Sequence, residues 1–300
     1  MNKTFSILTG LVMTLAASLC AAQAEDAPKV TVTPIKGPLY MLDGSGGNLV
    51  ASIGDDGVLL IDADYAPWVE AHAAAIAGID PDAASPRFLL NTHWHGDHVG
   101  GNEHWGTQGT VIMAHENIYQ RMSTRQEMKA LGRVVEPSPA AALPVVTYED
   151  SIAVRFNGDV IQVQHFPTGH TDGDSVVFFT EQNVVHIGDH VFENAFPFVD
   201  IGSGGNVLGY LSNLEKVLAM IDDQTIIVPG HGTSLLSKQD LQEWVTMLKS
   251  SVSRVAALLQ SGRTVDEIAE NGLVMSLTNV FGEVNGFERI IRVIKGTDQR

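Results

Sequence analysis

The sequence predicts an α+β protein in which two β-sheets pack face to face with helices on the outside. Three observations carry this: short apolar strands come in two successive groups, each group closes with helices, and a turn-rich stretch at 136–144 separates the groups. In the first group, strands are predicted at 39–42, 48–53 and 58–61, with Gly-Ser-Gly-Gly and Gly-Asp-Asp-Gly as the turns of a β-meander. A helix at 67–77, a strand at 87–91, a strand at 110–114 and a helix at 115–131 complete that half. The second half repeats the order: strands at 152–156, 160–166, 175–179 and 184–187, a helix at 207–221, then a strand at 225–228. Helices are predicted at 238–260, 265–270 and 287–294, the last with Phe287, Ile290, Ile291 and Ile294 at helical spacing. The expected organisation is one domain over 25–300, with the helices of 238–300 packed on it.

Residues 1–24 differ from the rest. Lys3 supplies a positive start, residues 5–17 are apolar, and Ala22-Gln23-Ala24 offers a small-residue cleavage site. This reads as a secretory signal, so the mature protein is expected in the periplasm or secreted, cleaved near Ala24. The apolar part is too short to span a bilayer, which takes about 18 or more such residues. Cys20 is the only cysteine and lies in this segment, leaving the mature chain without a disulfide, a thiolate ligand or a thiol nucleophile. Leu19 before it is bulky where lipid-attachment signals take a small residue. The formal charge of −17 gives an acidic surface that repels polyanions, which argues against nucleic acid as a partner and for a small-molecule substrate.

The densest chemistry lies just after the strand at 87–91, where His93, His95, Asp97 and His98 place three imidazoles and a carboxylate within six residues. Neutral imidazole suits zinc, copper, iron or nickel, and a carboxylate adds a hard donor that offsets the cation's charge. Each further candidate stands beside a glycine after an apolar strand: His170 in Thr-Gly-His-Thr, Asp189 in Gly-Asp, and His231 in Pro-Gly-His-Gly. Strand ends of one sheet share an edge, so these residues can converge despite their separation in sequence. Five histidines and two aspartates suffice for two metals: His93, His95 and His170 on one, Asp97, His98 and His231 on the other, with Asp189 between them. The remaining histidines, His72, His104, His115, His165, His186 and His190, read as core or surface residues, and Trp94 as a packing wall.

The motif His93-x-His95-x-Asp97-His98, followed in order by His170, Asp189 and His231, resembles the metallo-β-lactamase-fold hydrolase superfamily over roughly residues 37–248. That resemblance implies a four-layer αββα sandwich with two zinc ions, or iron or manganese, at the edge between the sheets. Having His98 after Asp97, and an aspartate at 189, is similar to the glyoxalase II ligand set; zinc β-lactamases of the commonest kind carry arginine and cysteine at those two places. The segment Gly205-Asn206-Val207 resembles the lactamase segment whose asparagine polarises the substrate carbonyl, although an N-cap for the next helix is the other role open to Asn206. The lysine that binds the β-lactam carboxylate has no clear counterpart, since Phe192 falls near its place.

The expected activity is hydrolysis of a carbonyl-containing substrate, foremost a lactam or lactone, by a hydroxide bridging the two cations. Asp97 would orient that hydroxide and carry its proton, and Asn206 would help stabilise the oxyanion. A thioester hydrolase of glyoxalase II type, an iron-dependent persulfide dioxygenase and a non-catalytic metal-binding module are the alternatives. The sequence is silent on oligomeric state.

Overall fold

In the computed structural model, residues 28–83, 85–128, 131–193 and 195–269 are described. The secretory signal expected at 1–24, with Lys3 and Cys20, and the helix expected at 287–294 lie outside them.

A seven-stranded sheet takes the order β1(Thr31–Lys36), β2(Leu39–Asp43), β3(Leu49–Gly54), β4(Gly57–Ile61), β5(Phe88–Leu90), β6(Val111–His115), β9(Val146–Tyr148). Its first four strands are an antiparallel meander and the rest run parallel. Helix α1(Val69–Ile79) makes the crossover from β4 to β5, while α2(Gly96–Val99) and α3(Asn102–Thr107) link β5 to β6. The second sheet repeats the scheme: β10(Ser151–Phe156), β11(Asp159–His165), β12(Ser175–Phe179) and β13(Val184–His186) form the meander, and β14(Ile226–Val228) adds in parallel after α5(Val207–Met220). The long helix α6(Lys238–Gln260), closed at its start by a Ser237–Asp240 capping box, and the short α7(Val265–Ala269) follow.

Alternation along the strands creates the layers. Leu39, Met41, Leu59 and Ile61 of the first sheet meet Ile161, Val163, Val177 and Phe179 of the second in the central core. Their neighbours Leu42, Val58 and Leu60 face outward onto Val69 and Ile76 of α1 and onto Trp105. Val176, Val185 and Ile227 face outward from the second sheet onto Tyr210 and Leu214 of α5 and Leu241 and Leu248 of α6. The central strands of each sheet are therefore buried on both faces, and the four-layer αββα order predicted from the sequence is the one found. Among the described residues, no helix is long and apolar enough to cross a membrane.

Two expectations need correction. The strands β1 and β9 were not foreseen; most of their residues face solvent, which leaves them without the apolar alternation or buried run that marks the others. The helix expected over 115–131 stops early, as α4(Glu116–Met122), and is followed by a hairpin of β7(Gln126–Met128) and β8(Arg133–Val135). The hydroxyls of Ser123 and Thr124 donate back to the Gln120 carbonyl and end the helix locally, and the Met122 carbonyl accepts from Ser138 across the next loop. Apolar residues that read as one helix face instead cover one end of the sandwich: Met122 and Met128 pack with Trp94, Val99 and Ala142.

Candidate metal centre

Every predicted ligand sits just beyond a strand on one rim of the sandwich. His93 and His95 lie on the loop leaving β5, Asp97 and His98 on α2, His170 between β11 and β12, Asp189 after β13, and His231 after β14. The loop at 44–47 folds over this rim, where the Gly47 amide donates to the Asp97 carbonyl (3.1 Å). A Cβ at Gly47 would overlap the His98 ring, so only glycine allows the backbone this close.

The side chains gather into two groups, each with its ligating atoms within 4.8 Å of one another: His93, His95, His170 and Asp189, and beside them Asp97, His98 and His231. Asp189 joins the groups. Its Oδ2 lies 3.6 Å from His93 Nε2 and 3.3 Å from His170 Nε2, while its Oδ1 lies 3.1 Å from His98 Nε2 and 3.3 Å from His231 Nε2. Asp97 Oδ2 stands 3.3 Å from His231 Nε2 and 3.8 Å from His98 Nε2. The far sides of the rings are held. His98 Nδ1 meets Asp62 Oδ2 at 2.8 Å, His95 Nε2 meets Asp200 Oδ2 at 3.1 Å, His93 Nδ1 faces the Thr92 hydroxyl, and His170 Nδ1 faces the Phe198 carbonyl. Such outer partners fix tautomer and ring orientation and leave the inner nitrogen free to ligate.

The donor set fits a pair of cations. His93 Nε2, His98 Nε2 and Asp189 Oδ1 are fully buried, point into the cluster and have no properly formed hydrogen bond. Orphaned buried polar atoms are costly, and three converging on one space call for a ligand. Charge gives the same answer. Burial, assisted by neighbouring rings, holds the His93 imidazole well below its ordinary range and His170 down to about 3, so both are neutral and ready to donate a lone pair. Burial alone would raise Asp189 and Asp97, but the surrounding imidazoles overcome it, keeping Asp189 well below the usual carboxylate range and Asp97 at about 2. His231, against its own desolvation, is lifted by Asp189 to about 9, and His98 is also raised. The carboxylates thus draw positive charge onto this rim, which protons supply when no cation does.

A cleft of about 220 Å³ opens over both groups, floored by His95, Asp97, Asp189 and His231 and walled by Tyr65, Met128, Leu131, Arg133, Phe192 and Phe198. Phe192 stacks on His231, with ring centroids 4.8 Å apart and planes within 5°. A larger groove of about 410 Å³ along α6 holds no ligating cluster.

Asn206 is placed differently from its predicted catalytic role. Its Oδ1 accepts from the Leu208 and Gly209 amides as the N-cap of α5, and it is absent from the cleft lining. The alternative role, helix capping, is the one this geometry displays. Trp94 is a buried packing wall, as expected. His190 is buried, stacked on Tyr210 and bonded to the Ile187 carbonyl. His186 was read as an ordinary core residue, and its Nε2 lies 3.6 Å from Asp62. The residues missed by sequence reasoning are Asp62, Asp200, Tyr65 and Arg133. Asp62 directly follows the apolar run at 58–61 and is wholly buried, so an acid ending a buried strand was the available signal. Asp200 lies on an irregular stretch where no periodicity points to it.

Comparison with known proteins agrees with this geometry. Residues 45–231 match the family model of the metallo-beta-lactamase superfamily, and the chain belongs to that superfamily, as a protein of its hydrolase type. It is 24% identical over 146 residues to a metallo-beta-lactamase type 2 of Bacteroides fragilis, covering 48% of this chain and 52% of that one. It is 25% identical over 244 residues to the atrochrysone carboxyl ACP thioesterase of Aspergillus fumigatus, covering 79% and 49%. In three dimensions it resembles the inverting sec-alkylsulfatase Pisa1 of a Pseudomonas species, with a TM-score of 0.63, 15% identity, and 87% and 49% of the two chains covered. The aligned part is about half the length of each of these proteins.

Proposed function

We propose that the protein is an exported dinuclear zinc hydrolase that opens a lactam or lactone. The observation that carries this reading is Asp189, whose two oxygens each face a separate set of imidazoles, as a carboxylate shared between two ions must. His93, His95 and His170 would hold one ion and Asp97, His98 and His231 the other. Two dications there would polarise a carbonyl and lower the pKa of water from about 16 toward about 7. The chain's own residues do the rest. Asp97, partly exposed on the cleft floor and ionised down to about pH 2, would accept a proton at the carboxylate oxygen turned away from His98 and His231 and return it to the leaving group. Phe192, Phe198 and Met128 give the cleft apolar walls that exclude water and seat the substrate body. The likeness to a β-lactamase supports the lactam reading, and the signal-like sequence of 1–24 supports export; the histidine at 98 and aspartate at 189, with the thioesterase likeness, favour thioesters as the second choice.

Elemental analysis of the purified protein should find two zinc ions per chain, and about one after Asp189→Ala. Chromogenic lactam, lactone and thioester substrates should then show turnover that is lost on chelation and regained with zinc. Iron in place of zinc, or no turnover across the panel, would refute the proposal in favour of the redox or non-catalytic alternatives.

A further inference from the structure

The cleft has one cationic wall residue, and its position is unusual. In a chain with 35 acidic and 18 basic residues, Arg133 on β8 lines the same cleft as Asp97 and Asp189. Its neighbours on this side of the fold are committed: Arg121 pairs with Asp172, and Arg125 with Glu127 and Glu136. Arg133 takes part in no ion pair among the described residues, and its side chain lines both this cleft and the adjoining pocket beside Trp94 and Pro139, so its five donors have no carboxylate of the described chain to hold them. Beside it the surface is apolar. Leu131 is 46% exposed and Tyr65 39%, two of the few large hydrophobic side chains left to solvent, and both line this cleft. A free guanidinium next to an uncovered apolar rim is a recognition surface rather than a folding feature.

We propose that Arg133 selects the substrate by pairing with a carboxylate carried on an apolar body, while the reacting carbonyl lies over the floor of His95, Asp97, Asp189 and His231. This rests on the hydrolase reading above. The planar fork of arginine suits bidentate pairing with a carboxylate, and the apolar walls lower the local dielectric in which the pair forms.

The test is binding, so that it stands apart from turnover. Titration calorimetry on the zinc-loaded protein compares 4-phenylbutyrate with 4-phenylbutyramide, which share an apolar body and differ in charge. The wild type should bind the acid at least about tenfold more tightly, the scale of one charge-assisted hydrogen bond. Arg133→Gln should bring the two ligands to within about twofold, and Arg133→Lys should keep part of the preference. Because Arg133 is exposed, melting temperatures of the variants should match the wild type. Equal binding of acid and amide by the wild type, or a preference that survives Arg133→Gln and so comes from zinc alone, would overturn the proposal. Absence of hydrolysis with this preference intact would instead count against the function and leave Arg133 as an anion-binding residue.

Discussion

Asp62→Asn tests whether the buried carboxylate behind His98 sets the affinity of the second ion position. Asp62 accepts at Oδ1 from the Thr92 amide (2.7 Å), and at Oδ2 from the Thr92 hydroxyl (2.7 Å) and from His98 Nδ1 (2.8 Å). An asparagine fits the same space with one acceptor and one donor, and neither orientation satisfies all three partners. With its oxygen toward the Thr92 amide, its NH2 faces His98 Nδ1, which must then give up its proton to Nε2, the nitrogen that points at Asp189. Turned around, it leaves the Thr92 amide facing another donor, at a cost of about 1–3 kcal/mol. The backbone amide cannot change its proton while an imidazole can, so the first orientation should win. A proton on His98 Nε2 opposes ligation, and loss of an outer partner of this kind typically weakens metal binding by about 10–100-fold. Competition with a chromogenic chelator should therefore show one zinc site weakened to that extent and the other nearly unchanged, with melting close to wild type once zinc is saturating. Two zinc sites of undiminished affinity would refute the argument that Asp62 fixes the His98 tautomer.

Asp97→Asn should retain most of the bound zinc, since His98 and His231 remain, but lower kcat by about 100-fold or more through loss of the proton acceptor; retained full turnover would contradict the role given to Asp97. Acid stability should depend on His165, which burial and then the stacked His115 ring (3.6 Å between centroids) lower from 6.5 to about 4. The unfolded chain binds this proton below about pH 6.5 and the folded chain only near 4, so the stability contributed by the neutral ring is intact above that window and lost as pH falls through it. Unfolding free energies from urea titrations between pH 7 and 4.5 should fall more for the wild type than for His165→Gln, by roughly 1–2 kcal/mol after allowing for solvent screening, and parallel curves would exclude this coupling.

The fold was legible wherever apolar alternation or a buried run was strong: β2 to β4, β12 and β13 read as apolar runs because both their faces are covered, and β10 and β11 alternate because one face meets solvent. It was illegible at β1, which is half in solvent, and at α4, where the apolar residues of 118–128 suit a helix face as well as they suit the helix and hairpin that form. The candidate ligands were legible because imidazoles and carboxylates beside glycines at strand ends are a compact chemical signal, independent of what surrounds them. Asn206 shows the limit of that signal, since one side chain type serves equally as a carbonyl donor and as a cap, and only the position of the Leu208 and Gly209 amides distinguishes them.

Residue order alone therefore determined the layered α+β architecture and the seven side chains that meet on its rim, since both depend on local pattern and on strand ends sharing an edge. Tertiary structure decided what lies around them: that Asp189 turns one oxygen to each group, that Asp62 and Asp200 hold rings from 36 and 105 residues away, and that a hairpin brings Arg133 to the cleft. Those relations are made by packing between distant segments, and spacing along the chain carries no record of them.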